Sequence, residues 1–210
     1  KMFIDRGDVI ITENPTFVGG LIAFNPYEPR YAPVAMDGEG IRTDLVEKAL
    51  KQNPNAKLIY TIPDFQNPTG ITMSLARRKR LVELANEYDA IIIEDSPYRE
   101  IRFEGEALPP IKSFDTQGRV IQLGSFSKIL SPGMRLGWLV AEQELAEKLC
   151  LLKMAADTQN STLNMFAADK FMEMYDMDEH IEGIRKVYKR KKDLMLDIIG
   201  SSFPKSVSYT

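Results

Sequence analysis

Five residues in this sequence have side chains suited to the chemistry of an aromatic aldehyde: Lys128, Asp95, Tyr98, Asn67 and Arg135. The amine of Lys128 can form a Schiff base with an aldehyde. The carboxylate of Asp95 can hold a ring nitrogen in its protonated form, so that the ring withdraws electrons. The hydroxyl of Tyr98 and the amide of Asn67 can hydrogen bond to a ring oxygen, and the guanidinium of Arg135 can bind a phosphate.

Three further residues complete this set. The ring of Phe17 can stack on a planar aromatic ligand, and the hydroxyls of Ser125 and Ser127 can share a phosphate with an arginine. Taken singly, none of these residues is specific, because a lysine after a strand is usually solvated and a lone phenylalanine usually belongs to the core. Together these residues could bind one kind of ligand, an aromatic aldehyde that carries a phosphate. The cofactor of that description is pyridoxal 5′-phosphate.

Short apolar runs precede these residues and alternate with helical patterns over residues 9–141. The runs predict strands over residues 9–12, 31–36, 57–62, 90–93, 118–123 and 136–141. Apolar residues at helical spacing predict helices over residues 43–52, 74–88, 142–158, 165–175 and 178–199. This alternation predicts an α/β fold with a mostly parallel sheet, in which ligands bind beyond the carboxyl ends of the strands.

Composition excludes several other classes of protein. The chain has 210 residues, 44% of them hydrophobic, and a formal net charge of -3. A disordered chain does not have this composition, and a negative charge does not favour nucleic acid. The apolar runs are too short to span a membrane. With one histidine and one cysteine, the chain has no zinc cluster and no His-based triad, so we expect no metal, and Cys150 is expected to be a buried thiol.

Three stretches carry a resemblance to a known family. They are YTIPDFQNPTG (residues 60–70), IIEDSPY (92–98) and GSFSKILSPGMRLG (124–137). Together they resemble the pyridoxal-phosphate-dependent aminotransferases of fold type I, class I/II, and most closely the 2-aminoadipate and kynurenine aminotransferase-like branch. The resemblance extends over nearly the whole chain. It implies a three-layer α/β/α large domain like that of aspartate aminotransferase, with one antiparallel strand near residues 136–141.

The resemblance also implies a role for each residue of the set. Lys128 would form the Schiff base and shuttle the substrate α-proton, and Asp95 would pair with the pyridinium nitrogen. Tyr98 and Asn67 would hydrogen bond to the phenolic oxygen. Phe17 would stack on the ring, where relatives often have Tyr or Trp. The phosphate would be bound by three residues: Ser125, Ser127 and Arg135. Lys128, Asp95 and Tyr98 are the predicted catalytic residues.

The resemblance predicts two incomplete domains. Residues 1–177 would form a cofactor-binding large domain that lacks its N-terminal part, and residues 178–210 would begin a small C-terminal domain. A Gly-rich phosphate turn and the arginine that binds the substrate carboxylate would then lie outside this chain. We therefore expect the chain alone to be inactive, and the full-length protein to be a cytoplasmic homodimer acting on amino acids and 2-oxo acids.

Two other functions stay open at this point. Some bacterial transcription regulators join a DNA-binding module to an aminotransferase-like domain that senses pyridoxal phosphate. Those regulators tend to have Asp followed directly by Tyr, whereas Ser96 and Pro97 separate Asp95 from Tyr98 here, which favours the enzyme. A pyridoxal-phosphate lyase or decarboxylase on the same scaffold is the other alternative, since substrate contacts determine which α-bond breaks.

Overall fold

The computed structural model describes residues 2–204, 206 and 207. Seven strands form one sheet: β1 (Val9–Asn14), β2 (Arg30–Asp37), β3 (Gly40–Ile41), β4 (Ala56–Thr61), β5 (Ile91–Asp95), β6 (Val120–Ser125) and β7 (Gly137–Val140). Six helices accompany them: α1 (Val18–Phe24), α2 (Thr43–Gln52), α3 (Leu75–Glu87), α4 (Gln143–Asp157), α5 (Thr162–Met174) and α6 (Met177–Ser202). Single turns of 3₁₀ helix lie at Asn25–Tyr27, Arg99–Ile101, Ile111–Phe114 and Pro132–Met134.

The strand order in the sheet is β3-β2-β1-β4-β5-β6-β7. The five central strands are parallel, and β7 pairs antiparallel with β6, as predicted for residues 136–141. The strand β3 is a second antiparallel strand, paired with β2. It was not predicted, because a two-residue strand is too short to show a pattern in the sequence. The chain runs from β1 outward to β3 and then returns to β4 on the other side of β1. This reversal between β1 and β4 is where an open α/β sheet forms a ligand crevice.

Both faces of the sheet are covered by helices, which gives the predicted three layers. Alternate strand residues such as Ile11, Ile59 and Ile92 are fully buried against α2 and α3. Their neighbours, among them Ile10 and Leu58, pack on the opposite face with α1 and α4. Because both faces are buried, the central strands contain continuous apolar runs instead of alternating ones.

Ser74 is the residue before α3, and its buried hydroxyl has no hydrogen-bond partner among the described residues. One local prediction, the burial of Cys150, is wrong. Cys150 is exposed, since it lies on the outward side of α4.

The helix α6 covers most of the segment that was assigned to a second domain. It begins at Met177 behind the cap Asp176, whose carboxylate accepts from two backbone N–H groups. Arg185 Nε donates to the carbonyl of Glu100 at 2.9 Å, so this helix packs on the segment that follows β5. The domain boundary at residue 178 stays a prediction, and Lys205 and residues 208–210 of the second segment lie outside the described residues.

Candidate functional site

A cavity of about 310 Å³ lies between α1 and the sheet, near the carboxyl ends of β4, β5 and β6. The rings of Phe17 and Tyr60 line it together with the side chain of Asp95. The other lining residues are apolar or small: Gly19, Gly20, Ala23, Phe24, Ile93 and Leu123. The cavity therefore has aromatic and aliphatic walls and a single carboxylate. Phe17 and Asp95, which are 78 positions apart in the sequence, face the same space.

Asp95 is the last residue of β5, and its side chain points to the face of the sheet that α1 covers. Tyr60 Oη donates a hydrogen bond to Asp95 Oδ2 at 2.7 Å. Burial raises the pKa of Asp95, and the hydrogen bond from Tyr60 opposes that shift by stabilising the carboxylate. Asp95 is thus a partly desolvated carboxylate with one oxygen already paired.

Tyr98, Asn67 and Lys128 form a second group, and none of them lines this cavity. Asn67 Nδ2 donates to Tyr98 Oη at 3.1 Å. Because the hydroxyl oxygen of Tyr98 accepts this bond, its own proton remains available for another acceptor. Lys128 Nζ lies 5.8 Å from the centroid of the Tyr98 ring, and Lys128 is exposed.

The predicted phosphate ligands lie on the segment that begins at the last residue of β6, here named the Lys128 loop (residues 125–135). Ser125 Oγ accepts from the backbone N–H of Ser127 at 3.1 Å, which leaves the hydroxyl proton of Ser125 free to donate. Arg135 is exposed, has a left-handed backbone (φ 53°), and donates to the carbonyl of Pro132 at 3.4 Å. Ser127 and Lys128 line a second cavity, of about 500 Å³, against α6. Arg135 and Ser125 line neither cavity, so the structure does not bring the whole predicted set into one pocket.

The sequence reasoning missed the residues that hold the segment bearing Asn67, here named the Asn67 loop (residues 62–70). Gln66 is fully buried, and its Nε2 donates to Glu13 Oε2 and to the carbonyl of Pro15, both at 2.9 Å. The amide oxygen of Gln66 accepts from the backbone N–H and hydroxyl of Thr69. Glu13 also accepts from Thr61 Oγ1 and from Ile62 N. Burial raises the pKa of Glu13 to about 7 despite these hydrogen bonds.

A buried ion pair also anchors this loop, near its first residues. Arg78 and Asp64 are at most 1% exposed, and their side chains form two hydrogen bonds, at 2.9 and 3.2 Å. Arg102 adds a third contact to Asp64 at 3.1 Å, and its guanidinium lies 4.3 Å from the centroid of the Phe65 ring. A signal for this pair was present in the sequence: Arg78 lies three and four positions before Leu81 and Val82, on the apolar face of α3.

Glu94 faces away from the cavity, as its position beside Asp95 predicts for a strand. Its buried carboxylate accepts from the backbone N–H groups of Ile111 and Lys112 at 2.9 and 2.8 Å. It therefore holds the 3₁₀ turn that leads to β6, and its role is structural.

The residues around the first cavity fit a flat aromatic ring that carries a basic nitrogen. The carboxylate of Asp95 supplies the charge that such a nitrogen requires, and the ring of Phe17 supplies a stacking surface. Gly19 and Gly20 make room for these walls, because a Cβ at Gly19 would lie 2.5 Å from the Phe17 ring and one at Gly20 would lie 2.8 Å from the Tyr60 ring. Within the described part of the chain, no cluster of three or more His, Cys, Asp or Glu residues could hold a metal ion. No helix in that part is both long enough and apolar enough to cross a membrane.

The family model for class I and II aminotransferases matches residues 1–202. The chain belongs to this family. Aromatic-amino-acid aminotransferase 1 of Thermococcus litoralis is 45% identical to it over the whole chain, which corresponds to 51% of that relative. The crystal structure of a kynurenine aminotransferase from Pyrococcus horikoshii in complex with PMP superposes with a TM-score of 0.94 and 40% identity, covering 99% of this chain and 52% of that one.

The aminotransferase family assignment confirms the resemblance and the predicted fold. An uncharacterized HTH-type transcriptional regulator of Bacillus subtilis is also similar, with 37% identity over 90% of the chain and 39% of its own length. The chain spans about half the length of the aminotransferases described here.

Proposed function

We propose that the protein carrying this chain is a pyridoxal-phosphate-dependent aminotransferase, which exchanges an amino group between an amino acid and a 2-oxo acid. The observation that carries this proposal is the placement of Asp95 and Phe17 on one cavity near the carboxyl ends of the strands. The position of Lys128 Nζ, 5.8 Å from the centroid of the Tyr98 ring, supports it, as does membership of the aminotransferase family. A cytoplasmic homodimer with a large domain at residues 1–177 is the form that we propose for it.

Pyridoxal phosphate, when bound, supplies an aldehyde that bonds to amines and a ring that withdraws electrons from the substrate α-carbon. Asp95 would hold the ring nitrogen through a charge-assisted hydrogen bond from its carboxylate. Lys128 Nζ would serve as the amine that anchors the cofactor and, once released, would accept and return the substrate α-proton. Lys128 is exposed, and it takes part in none of the ion pairs found among the described residues.

The hydroxyl of Tyr98 is set up to donate its proton. Asn67 Nδ2 donates to the Tyr98 oxygen, and this bond directs the Tyr98 proton away from Asn67. We propose that Tyr98 donates this proton to the phenolic oxygen of the cofactor, beside Asn67. The phosphate would be bound by three donors on the Lys128 loop: Ser125, Ser127 and Arg135.

A ligand-sensing domain of a transcription regulator is the second candidate, because a regulator of Bacillus subtilis is 37% identical over 90% of the chain. It would bind the same cofactor through the same residues and would differ in having no turnover. The two residues between Asp95 and Tyr98 favour the enzyme over the regulator. A lyase or decarboxylase would use the same site and release a different product.

The test is to load the full-length protein that carries this sequence, and the 210-residue chain beside it, with pyridoxal phosphate. An amino-acid panel with 2-oxoglutarate is added, and the visible spectrum and products are recorded. Formation of a new amino acid from 2-oxoglutarate by the full-length protein supports the aminotransferase. Cofactor binding without turnover would favour the regulator, and release of carbon dioxide or ammonia would favour the lyase or decarboxylase.

A matched pair of lysine variants locates the reactive amine. Borohydride reduction of the loaded protein should leave the cofactor on the peptide that contains Lys128. Lys128→Ala should lose this label, and Lys170→Ala, on the surface of α5, should keep it. A label that survives in Lys128→Ala would show that another lysine reacts.

A further inference from the structure

Tyr60 is a buried polar side chain that the proposed mechanism has not used. It lies on β4, is 2% exposed, and its hydroxyl makes a 2.7 Å hydrogen bond to Asp95 Oδ2. Burial and the nearby Asp95 carboxylate raise the pKa of Tyr60 far above its ordinary value. The hydroxyl therefore stays protonated in the working range and acts as a fixed donor.

The ring of Tyr60 is held by α1 on the side away from the strand. A Cβ at Gly20 would lie 2.8 Å from two ring atoms of Tyr60 and 3.0 Å from its hydroxyl oxygen, so glycine at this position permits the close approach. The edge of Phe24 packs against the same ring, with the centroids 5.5 Å apart and an interplanar angle of 78°. The backbone of α1 at Gly20 and the ring of Phe24 both pack against the Tyr60 ring and restrict its orientation. In this orientation the hydroxyl of Tyr60 points at Asp95.

We propose that Tyr60 is a positioning residue, which fixes the Asp95 carboxylate in its ionised form and aims its free oxygen at the ring nitrogen of the cofactor. This inference rests on the proposed function, since it concerns the same site. The bond occupies Oδ2 and leaves Oδ1 for the ligand. A carboxylate in a mostly apolar cavity tends to take up a proton, and a neutral carboxyl group would no longer hold a protonated ring nitrogen. The hydrogen bond from Tyr60 opposes that loss.

Few titratable groups face Asp95. Tyr60 approaches from β4, and Tyr98 lies on the segment that follows β5. Glu13, at the end of β1, is close enough for the Asp95 charge to raise its pKa. The parts of α1 and β6 that line the cavity contribute only apolar side chains and glycines. Of these groups, Glu13 is the one that titrates near neutral pH and must be controlled for.

The experiment measures the dissociation constant of pyridoxal phosphate between pH 5 and pH 8, by equilibrium dialysis of the full-length protein. In the wild type, affinity falls as the pH drops and Asp95 takes up a proton. Tyr60→Phe removes the donor, which raises the pKa of Asp95, so the fall should begin about one unit higher in pH. The dissociation constant should then rise by up to about tenfold at the acidic end of this range, with a smaller change at pH 8.

Matched variants separate this role from a structural one. Gly20→Ala should displace the Tyr60 ring and move the pH profile in the same direction, although it keeps every polar group. Tyr31→Phe removes a hydroxyl that bonds to Asn25 outside the cavity, and it should leave the profile unchanged. The shift caused by Tyr60→Phe should persist when Glu13→Gln is present in both proteins.

The outcomes distinguish the two proposals. An equal loss of affinity at every pH in Tyr60→Phe would assign it a packing role and overturn the inference, while the proposed cofactor site stands. An unchanged profile in both Tyr60→Phe and Gly20→Ala would overturn it as well. Failure of the wild type to bind the cofactor at any pH would overturn the inference and the proposed function together.

Discussion

The two loops that carry the candidate site are held in opposite ways. The Asn67 loop is anchored by buried polar side chains from distant parts of the chain, among them Glu13, Arg78 and Gln66. The Lys128 loop is held mainly by its own backbone, as in the bonds from Leu130 N and Ser131 N to the carbonyl of Phe126. Asn67 thus lies on a loop that is fixed by the rest of the fold, whereas the reactive amine of Lys128 lies on an exposed loop.

This difference separates two demands on the site. Groups that bond to a ring must not move, because a hydrogen bond weakens steeply with misalignment. The proposed amine of Lys128 must release the cofactor and then accept a substrate proton. Its side chain must therefore be able to move, and ligands must be able to reach it from solvent. Substitutions on the two loops should therefore have different effects on stability and on ligand capture.

The largest loss of stability is expected for Arg78→Met. This change leaves the buried Asp64 carboxylate with two less buried partners, Arg102 at 3.1 Å and Arg99 at 3.7 Å. Breaking a buried ion pair on one side costs about 3–5 kcal/mol. Arg80→Met is the matched control on the same helix, where the arginine pairs with surface carboxylates. Urea unfolding at pH 7 measures both. Equal losses would show that the Asn67 loop does not depend on its buried anchor.

Glu13→Gln tests the other anchor through pH. The folded pKa of Glu13 is about 7 against an ordinary 4.5, so the folded state binds more protons between these values. Wild-type stability should therefore fall as the pH rises from about 4.5 to about 7, with Glu13 contributing at most about 3 kcal/mol to that fall.

The Glu13→Gln variant should lose this contribution and show a flatter profile over the same range. Glu87→Gln, at an exposed position at the end of α3, is the control and should keep the wild-type slope. Urea unfolding at several pH values gives both slopes. Parallel profiles for the wild type and Glu13→Gln would contradict the assignment.

A smaller effect is expected at the ring of Phe17, which lies on neither loop. Gly19→Ala places a methyl group within 2.5 Å of the Phe17 ring, which must turn away from its present position. Loss of a stacked aromatic contact is worth about 0.5–1.5 kcal/mol, so the affinity for pyridoxal phosphate should fall about two- to tenfold. Gly183→Ala on α6, where nothing lies within 4 Å of the added methyl group, should leave the affinity unchanged.

The smallest effect on stability is expected at the most reactive residue. Lys128 is exposed, so Lys128→Ala should change the free energy of unfolding by less than about 0.5 kcal/mol while it abolishes covalent capture of the cofactor. Thermal unfolding without cofactor measures the first effect, and borohydride labelling measures the second. A large loss of stability would show that the Lys128 loop is structurally anchored, and the contrast between the loops would fail.

The fold was largely predictable from the sequence because the strands are short apolar runs covered on both faces. The helix α2 was predicted at residues 43–52, where the structure has it, because its apolar residues repeat at helical spacing. The strand β5 extends two residues further than predicted, through Glu94 and Asp95. The prediction stopped at the last apolar residue, because an apolar pattern cannot indicate that a carboxylate such as that of Glu94 is buried within a strand.

The site was predictable only where residue type indicates chemistry. The positions of Asp95 and Phe17 on one cavity follow from the parallel strand ends, which meet at one edge of the sheet. The pairing of Tyr60 with Asp95 and of Glu13 with Gln66 was missed, because both bonds join residues that are 35 and 53 positions apart. Tyr60 resembles an ordinary strand aromatic in sequence, and only the close approach of α1 gives its hydroxyl a defined target.

The span of the Glu13 hydrogen bonds has a consequence for how the chain acquires its site. Thr61 and Gln66, the side chains that donate to Glu13, are 48 and 53 positions further along the chain. During synthesis, strand β1 leaves the ribosome well before these donors, and its carboxylate stays hydrated until β4 docks beside it. Since such long-range pairing is slow, assembly of the ligand crevice is a late event in folding. Binding of the cofactor would therefore report the completed fold.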